Sequence, residues 1–309
     1  MLQEVFRLPW IDLPIYGFGL MLVIGFLAAA QLGRRLAHRF GLNGELFVNA
    51  ALLALLAGVA GARLSHILEN LDDFTDPNRS VGRNVWHMLD LRSGGLTFFG
   101  GFLLAIPVLL IYLRRKRLPL RKSMDIIAPC VMVGLGFGRI GCFLNGCCHG
   151  AECDLPWAVR FPYLSIAYVD QKIPTPDDLL TIDPQTGQRR PLTLQELRGQ
   201  PPLLELARAQ RSRPVHPAQL YSSFNAFFIA AIALAYLTLS PPPGCASALV
   251  LMLYGTSRFL LETVRVEPPV LGPLSISMVI SLFLAPLGLA MWLVFGRMAP
   301  SEAARPLQA

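Results

Sequence analysis

The sequence predicts an all-α, polytopic membrane protein that crosses the bilayer seven times. Of its 309 residues, 53% are hydrophobic and only 15% are charged, whereas an average soluble domain is about 25% charged. The apolar residues also come in blocks of about 20, which is the length a helix needs to cross a bilayer. These two observations exclude both an ordinary soluble globule and a disordered chain.

Seven apolar stretches account for the predicted helices. Within hydrocarbon every backbone amide must be satisfied by the protein itself, so each stretch is expected to be helical. The first stretch lacks the basic flank and small-residue cleavage site of a removable signal peptide, and it is expected to remain as an anchor. The stretches cover approximately 14–32, 45–68, 95–113, 125–146, 219–239, 245–264 and 274–295.

Lys and Arg in the short segments orient these helices. Eleven of them lie in loops 33–44 and 114–124 and in the C-terminal tail, against five on the other side. The richer side faces the cytoplasm, so the N-terminus is predicted outside and the C-terminus in the cytoplasm. The net charge of +7 then reflects topology beside anionic lipid, and no nucleic-acid partner is expected. The five are Arg7, Arg79, Arg83, Arg92 and Arg265.

Segment 150–218 is the only sizeable part outside the apolar stretches. It holds ten of the 25 prolines, a density that argues against a second regular domain. A short helix is expected at 203–211, after Pro201 and Pro202. Residues 1–309 are therefore predicted to be one seven-helix transmembrane domain. Segment 150–218 is either a small head on the outer face or a solvated, partly disordered loop.

Charged residues within the apolar stretches point to a function. Each costs about 3 kcal/mol at mid-bilayer and needs a partner or a role. Arg63 lies in the second stretch, Arg139 near the outer end of the fourth, and Arg258 with Glu262 in the sixth. Arg258 and Glu262 are four residues apart and share a helix face, which Tyr254 extends. Two arginines directed at one interior site indicate an anionic ligand, and a lipid phosphate is the one a membrane protein meets most often. Snorkelling side chains and structural ion pairs are the alternative explanation.

Glycines crowd the fourth stretch around Arg139. Gly136, Gly138 and Gly141 formally match the G-x-G-x-x-G dinucleotide fingerprint. That motif must follow a strand in a βαβ unit, and here it lies in an apolar helix, so it carries no such meaning. Close helix approach, or access of backbone amides to a ligand, explains the glycines better.

Four cysteines and a histidine follow the glycines. Their spacing matches no standard pair of C-x-x-C motifs, and an outer position would favour oxidation over metal binding. A metal site, a disulfide and simple packing or local reactivity all remain open. The residues are Cys142, Cys147, Cys148, His149 and Cys153.

Together, several separated segments resemble the prolipoprotein diacylglyceryl transferases of bacterial inner membranes. The segments occur in the family's order and on the corresponding predicted helices, and the resemblance covers essentially all seven. The stretch 163–213 is not part of the family's core pattern, and shortening it is expected to spare the chemistry. The segments are Tyr16 with Gly17, Gly94 and Gly95 through Gly100 and Gly101, the block 138–150, the run 216–221 and the run 254–262.

The resemblance implies transfer of the sn-1,2-diacylglyceryl group from phosphatidylglycerol to the lipobox cysteine thiol of a preprolipoprotein. A thioether forms and glycerol phosphate leaves, with no cofactor and no metal. The implied partners are phosphatidylglycerol, the signal-peptide and lipobox segment, and the bilayer. The implied location is the bacterial inner membrane, as a multi-pass protein.

The same resemblance implies roles for individual residues. Arg139 would bind the lipid phosphate, Arg258 would stabilise it as it leaves, and Glu262 would orient Arg258. This agrees with the physical argument, because two fixed arginines in a dry cavity stabilise the negative charge that develops. His216 is a further catalytic candidate. The other expected substrate contacts are Tyr16, Gly100, Gly101, Asn145, Gly150 and Tyr254.

Three positions depart from the family's better-known branch. Phe99 stands where that branch has a histidine proposed as general base, and Cys142 and Cys147 stand where it has Asn and Glu. His216 or His149 then become substitutes for the base, although each is equally well explained as a polar residue at a helix mouth.

Two other classes of protein fit part of the pattern. A phospholipid-headgroup binding or transport protein would use the same arginines without releasing glycerol phosphate. A membrane thiol–disulfide protein would use the clustered cysteines. Chemistry is favoured by the joint presence of Arg139, Asn145, Arg258 and Glu262, since a binding protein needs only the arginines.

Overall fold

The computed structural model describes residues 4–8, 13–75, 80–90, 97–183, 187–197 and 199–298. It is mostly helical, with three small antiparallel sheets. The elements are β1 (Glu4–Leu8), β2 (Leu13–Tyr16), α1 (Gly17–Arg39), α2 (Gly44–Glu69), α3 (Leu71–Phe74), α4 (Val81–Leu89), α5 (Phe98–Arg115), α6 (Leu120–Asn145), α7 (Ile166–Asp170), β3 (Leu180–Ile182), β4 (Arg189–Pro191), α8 (Leu194–Leu197), α9 (Pro201–Ala209), α10 (Ala218–Thr238), α11 (Cys245–Glu262), β5 (Pro269–Leu271), β6 (Leu274–Ser275) and α12 (Ile276–Arg297).

Six of the described helices are long and apolar enough to cross a membrane: α1, α2, α6, α10, α11 and α12. The third predicted stretch forms α5, a helix of 18 residues, but the side chains of its first two residues lie outside the described part of the chain. Each of the seven predicted stretches therefore contains a helix. The fold is an all-α polytopic membrane protein, while seven crossings and their orientation remain predictions.

Several helix boundaries differ from those that hydropathy predicts. α1 continues to Arg39 and α6 begins at Leu120, because basic residues with good helix propensity extend helices past their apolar part. Gly41, with φ +70°, follows α1 at the turn into α2. Some residues used in the sequence argument lie outside the described residues: Gly94, Gly95, Arg79, Arg92 and Arg305.

The chain forms two compact units, of which the first comprises 1–29 and 128–299. In this unit glycines let α11 and α12 pack closely. A Cβ on Gly255 would lie 2.7 Å from the Ala285 nitrogen, and one on Gly288 would lie 2.5 Å from the Met252 nitrogen. Such small residues allow helix backbones to approach in a bilayer. The apolar cluster between α6, α10 and α11 consists of Met132, Ile229, Ala230, Ala233 and Val250.

The glycines of α6 also serve helix packing. A Cβ on Gly136 would lie 2.7 Å from the Phe227 ring of α10, and one on Gly141 would lie 3.0 Å from the Phe18 ring of α1. The Gly136 carbonyl accepts a hydrogen bond from Ser223 Oγ at 2.9 Å. Close helix approach therefore accounts for these two glycines, as one of the two sequence interpretations predicts.

The second unit comprises 30–127 and 300–309, and in it α2 packs against α5. A Cβ on Gly100 would lie 2.6 Å from the Gly61 carbonyl oxygen, and one on Gly101 would lie 2.8 Å from that of Gly58. Tyr112 Oη donates to the Leu46 carbonyl at 3.2 Å at the other end of the pair. The close approach of these helices requires glycine at 100 and 101.

Arg63 of α2 is buried, and its partners are backbone carbonyls. Its Nε donates to Met88 at 2.8 Å, and its Nη2 donates to His87 at 2.8 Å and Asp90 at 2.9 Å. These carbonyls lie at the end of α4, where a helix leaves acceptors unsatisfied. Structural pairing thus explains this charge. The exposed side chains of α4 include the apolar row Val81, Val85, Trp86 and Leu89.

Segment 150–218 contains regular structure around a small core of its own. Leu179 and Leu192, which flank the hairpin of β3 and β4, pack with α7, α8 and α9. A second cluster joins Phe161, Ala167 and Val215 to Phe143 of α6. The short helix predicted at 203–211 is present as α9, but it begins at the prolines, which suit a first helical turn. The core consists of Tyr163, Tyr168, Leu179, Leu197 and Ala207.

Candidate active site

Arg139 lies in the last two turns of α6 and is partly buried. Within the described part of the chain its guanidinium makes no hydrogen bond or ion pair with another side chain or carbonyl. A guanidinium carries five N–H donors and keeps its charge in a dry environment. Arg139 is therefore positioned as a cation available to an anionic ligand.

Arg258 and Glu262 of α11 form the ion pair that their spacing predicts. Arg258 Nη1 lies 2.6 Å from Glu262 Oε2, with side chains 13% and 2% exposed. This is an ion pair by distance, although its angles lie outside those of a hydrogen bond. Two serines complete the network: Arg258 Nη2 donates to Ser277 Oγ at 2.8 Å, and Ser275 Oγ donates to Glu262 Oε1 at 2.7 Å. The start of α12 thus holds both charged groups in place.

Arg265, which sequence analysis treated only as a charge on the outer side, belongs to the same network. Its side chain is 8% exposed, its Nε lies 3.8 Å from Glu262 Oε2, and its Nη2 lies 2.5 Å from Glu267 Oε1. The positive charges of Arg258 and Arg265 are therefore balanced by the carboxylates of Glu262 and Glu267. Arg139 remains the cation without such a counter-charge among the described side chains.

Gly150 lies where three chain segments meet. Its amide donates to the His216 carbonyl at 3.0 Å, and the Ala151 amide donates to the Val264 carbonyl at 2.9 Å. A Cβ on Gly150 would lie 2.6 Å from both the His216 Cβ and the Val264 oxygen. Only glycine fits here. The close approach of the three segments is sufficient to explain this glycine, and no ligand contact is needed to explain it.

The two candidate histidines differ in their surroundings. His216 Nδ1 lies 3.4 Å from Tyr221 Oη, which also accepts a hydrogen bond from Trp157 Nε1 at 2.7 Å. His149 has an oxygen acceptor at each nitrogen, with Nδ1 2.9 Å from the Gly150 carbonyl and Nε2 3.3 Å from Asp170 Oδ2. Both ring nitrogens of His149 thus have oxygen partners, whereas among the described residues only Nδ1 of His216 has a side-chain partner. His216 is the better placed of the two as a base.

Three cysteines meet at the end of α6. The Sγ atoms of Cys142, Cys147 and Cys148 all lie within 4.8 Å of one another, and all three are free thiols. The pKa of the Cys148 thiol is lowered, first by hydrogen bonds with the other two thiols and then by the positive charges of Arg139 and Arg265. The fourth cysteine considered from the sequence, Cys153, is also free and lies outside this cluster.

The other expected substrate contacts are spread over the fold. Asn145 ends α6, and its amide is in hydrogen-bonding contact with the Cys147 thiol. Tyr254 packs against the apolar cluster of the first unit, and Tyr16 is 55% exposed at the end of β2. Gly100 and Gly101 belong to the second unit, and helix packing there accounts for both.

A cavity of about 890 Å³ opens beside the end of α6. Its wall includes Cys148, His149, Gly150 and Arg265 on one side and Asp170 of α7 on another. Of the expected site residues only Gly150 contributes to it. Charged side chains of Asp170, Lys172 and Arg265 lie on its wall, and it opens beside Cys148 of the cysteine cluster.

Sequence reasoning missed Gln219 and Asp170 at this site. Gln219 of α10 is fully buried, and its Nε2 donates to the Cys147 carbonyl at 2.7 Å. Asp170 faces His149, and the Ala167 amide donates to the Gly146 carbonyl at 3.3 Å. The position of Gln219 within the motif 216–221 was a usable signal. Nothing in the sequence indicated the contacts of Asp170 and Ala167.

Long apolar helices, one of which carries the partly buried Arg139 and another the buried ion pair of Arg258 and Glu262, define the class as an integral membrane protein. A sequence profile narrows this class. The chain belongs to the prolipoprotein diacylglyceryl transferase family, because that family's profile matches residues 3–294.

Individual relatives are similar over most of the chain. One from Clostridium tetani is 28% identical over 90% of this chain and 92% of its own length. One from Methylobacillus flagellatus is 32% identical over 85% and 84%. A third, from Rhodopirellula baltica, is 35% identical over 52% of this chain but only 32% of its own length. All three are named phosphatidylglycerol–prolipoprotein diacylglyceryl transferase.

Proposed function

We propose that this protein transfers the diacylglyceryl group of phosphatidylglycerol to the lipobox cysteine of preprolipoproteins, the first step of lipoprotein maturation. The family and the names of the relatives support this activity. They do not favour a lipid-binding or transport protein without catalysis. A thiol–disulfide protein is also not favoured, because the family and the relatives' names describe a diacylglyceryl transferase.

The observation that carries the proposal is the contrast between Arg139 and the network of α11. Arg258 and Arg265 are each matched by a carboxylate, whereas Arg139 has no such partner among the described residues. A charge in an apolar helix without a partner needs a ligand to offset its cost. A lipid phosphodiester has the charge and the geometry that a guanidinium binds.

The proposed reaction is one in which negative charge develops on the leaving phosphate. The sulfur of the lipobox cysteine attacks the glyceryl carbon bonded to the phosphate oxygen, so that a C–S bond forms and a C–O bond breaks. The electron pair of the broken bond leaves on glycerol phosphate. Arg139 holds the phosphate in the lipid, and Arg258 stabilises the charge that grows as it departs. Glu262, Ser275 and Ser277 keep Arg258 oriented.

The remaining site residues have supporting roles in this proposal. Asn145 and Tyr254 contact the substrates from α6 and α11, and Tyr16 does so from the end of β2. Gly150 lets three chain segments meet, and Gly100 and Gly101 let α5 approach α2 closely. His216 accepts the thiol proton, a role supported by its hydrogen bond with Tyr221 and by the two acceptors that surround His149.

The membrane setting completes the proposal. Seven helices cross a bacterial inner membrane, with the N-terminus and segment 150–218 outside and the C-terminus in the cytoplasm. The excess of Lys and Arg in loops 33–44 and 114–124 supports this orientation. Phosphatidylglycerol and the signal-peptide helix both reside in the bilayer, so both substrates enter laterally.

Transfer of labelled diacylglyceryl to a lipobox peptide tests the proposal. Glycerol phosphate release is followed at the same time, with the protein in vesicles that contain phosphatidylglycerol. Arg139→Ala is expected to lower the rate at least 10²-fold, roughly the loss of one donor to a developing anion. Arg139→Lys should recover little, because one ammonium does not reproduce the planar fork.

Arg208→Ala is the matched control, since Arg208 is exposed and pairs only with the exposed Glu205. It should retain wild-type transfer. Equal activity in Arg139→Ala and Arg208→Ala would contradict the phosphate assignment. If the wild type binds the lipid but releases no glycerol phosphate, the protein binds headgroups and is not a transferase.

A further inference from the structure

The proposed reaction makes no use of the three clustered thiols, although they lie next to its central arginine. Cys142 is one helical turn beyond Arg139 on α6, and Cys147 and Cys148 follow the end of that helix. Their Sγ atoms lie within 4.8 Å of one another and are partly buried. Three sulfurs at this separation can serve as ligands of one metal ion.

The backbone between these cysteines is bent to bring the sulfurs together. Gly146 has φ +73°, and Cys148, which is not a glycine, has φ +56°. A left-handed residue of this kind costs of order 1–3 kcal/mol and persists only where its neighbours hold it. They do so here: the Cys147 amide donates to the Cys142 carbonyl at 3.1 Å, and Gln219 holds the Cys147 carbonyl.

The separation of the sulfurs suits a shared metal ion. Tetrahedral zinc binds sulfur at about 2.3 Å, which places two sulfurs about 3.8 Å apart. The observed limit of 4.8 Å exceeds that spacing by no more than a small side-chain rotation. The group contains three ligands among the described His, Cys, Asp and Glu residues. Three protein ligands with a fourth position open is the pattern of catalytic zinc sites.

The local charge is also compatible with a metal ion. Three thiolates and one divalent cation leave a net charge of −1. The positive charges of Arg139 and Arg265 lie close enough to act on Cys148 and can offset it. Thiolates are soft ligands that select zinc and similar cations over magnesium or calcium.

We propose that Cys142, Cys147 and Cys148 bind a thiophilic divalent cation, Zn²⁺, whose open position takes the lipobox cysteine of the substrate as a thiolate. This inference rests on the proposed function for the identity of its thiol ligand. The cavity beside Cys148 gives a peptide access to the metal.

Each proton and bond is accounted for in this step. On binding to zinc the substrate thiol loses its proton to His216, the acceptor in the proposed function, because a bound cation strongly favours the deprotonated thiol. The zinc-bound sulfur then attacks the glyceryl carbon, forming the C–S bond as the C–O bond to phosphate breaks. The thioether is a weaker ligand than the thiolate and leaves the zinc. No oxidant or reductant takes part, and the need for a histidine at position 99 is removed.

Metal binding is tested first, without reference to activity. The full chain is purified in detergent under reducing conditions, stripped with a chelator and titrated with Zn²⁺ or with Co²⁺. One equivalent should bind, and Co²⁺ should give the sulfur-to-metal charge-transfer absorption of a thiolate site. Cys142→Ser and Cys147→Ser should each weaken binding by more than about tenfold, since even outer-shell changes cost 10–100-fold. Cys153→Ser, the matched control, should bind as the wild type does.

Substoichiometric binding would overturn the metal site, as would equal weakening by Cys153→Ser. A disulfide among the three cysteines, found by mass spectrometry after alkylation, would overturn it as well.

The open position is tested with a lipobox peptide on the cobalt-loaded protein. The cysteine peptide should shift the cobalt spectrum, and the same peptide with serine should not. An unchanged spectrum would overturn the role of the metal in activating the thiol.

Transfer is then measured with and without zinc. Transfer that persists unchanged after complete zinc removal refutes the metal proposal and leaves the proposed function intact. Stoichiometric zinc and a peptide-dependent spectrum without any transfer refute the proposed function and leave the thiol-binding metal site intact.

Discussion

Glu262 holds two arginines that are buried with it. Its Oε2 lies 2.6 Å from Arg258 and 3.8 Å from Arg265, while Ser275 donates to its other oxygen. Glu262→Ala leaves buried charge unpaired, a loss expected to cost about 3–5 kcal/mol of unfolding free energy. Denaturant unfolding in detergent should show this loss. Glu205→Ala, which removes an exposed pair with Arg208, should stay within about 1 kcal/mol of the wild type.

An unchanged stability for Glu262→Ala would mean that water reaches the network and that Arg258 is not fixed by it. The sequence was sufficient to predict the pair of Arg258 and Glu262, because four residues are one turn within a single helix. Arg265 and Ser275 could not be predicted in the same way. Helix α11 ends at Glu262. Beyond that residue, helical spacing no longer predicts which side chains lie on the same face.

At the scale of elements, the contact between α11 and α12 positions the arginine network. Arg258 lies on α11 and its partner Ser277 on α12, and the glycine contacts hold the two helices at close distance. Gly255→Val would place side-chain atoms against the Ala285 backbone. Such overpacking is expected to cost about 1–3 kcal/mol and to lower transfer by separating Arg258 from Ser277.

Thermal unfolding and transfer assays on the same preparation measure both effects. Gly296→Ala on α12 is the control, because no described heavy atom outside its own helical backbone lies within 4 Å of the added Cβ. If Gly255→Val loses stability but keeps full transfer, the contact between α11 and α12 does not position the network.

The existence of the long helices was the most predictable part of the fold, since the bilayer requires about 20 apolar residues in a helical segment. Their ends were less predictable. Residues 274–275 form β6 and not the start of α12, and α1 runs on through Arg34 and Arg35. Turns and capping residues determine where these helices begin and end, and a hydropathy pattern does not contain that information.

At the scale of the whole molecule, segment 150–218 consists of a distal part and a proximal part that make different contacts. Its distal part has its own core around Leu179 and Leu197. Its proximal part touches the cysteine turn, where the Ala167 amide donates to Gly146 and Asp170 faces His149. The expectation that all of 163–213 can be shortened without loss therefore needs refinement, because residues 165–170 support the site. These contacts could not be predicted, since they join parts of the chain about 20 residues apart through a loop without periodicity.

The two parts can be separated by mutation. Leu179→Ala removes a fully buried side chain from the distal core and is expected to destabilise it by about 2–5 kcal/mol. Limited proteolysis should then cut within the distal part, while transfer stays within about threefold of the wild type, less than 1 kcal/mol in the barrier. A matched change at an exposed position, Ile182→Ala, should leave protease resistance unchanged. Loss of transfer in Leu179→Ala would show that the distal core also contributes to catalysis.

The hydrogen bonds of Arg63 affect how deeply α4 can lie in the membrane. A helix normally needs water, or a capping residue, at its last carbonyls. Because Arg63 supplies donors to the carbonyls of His87, Met88 and Asp90, α4 can end below the level that water reaches. Its exposed row of Val81, Val85, Trp86 and Leu89 can then rest among acyl chains, with the indole at the level of the lipid headgroups. An arginine that is costly within the bilayer thereby replaces the water that the end of a short amphipathic helix would otherwise need.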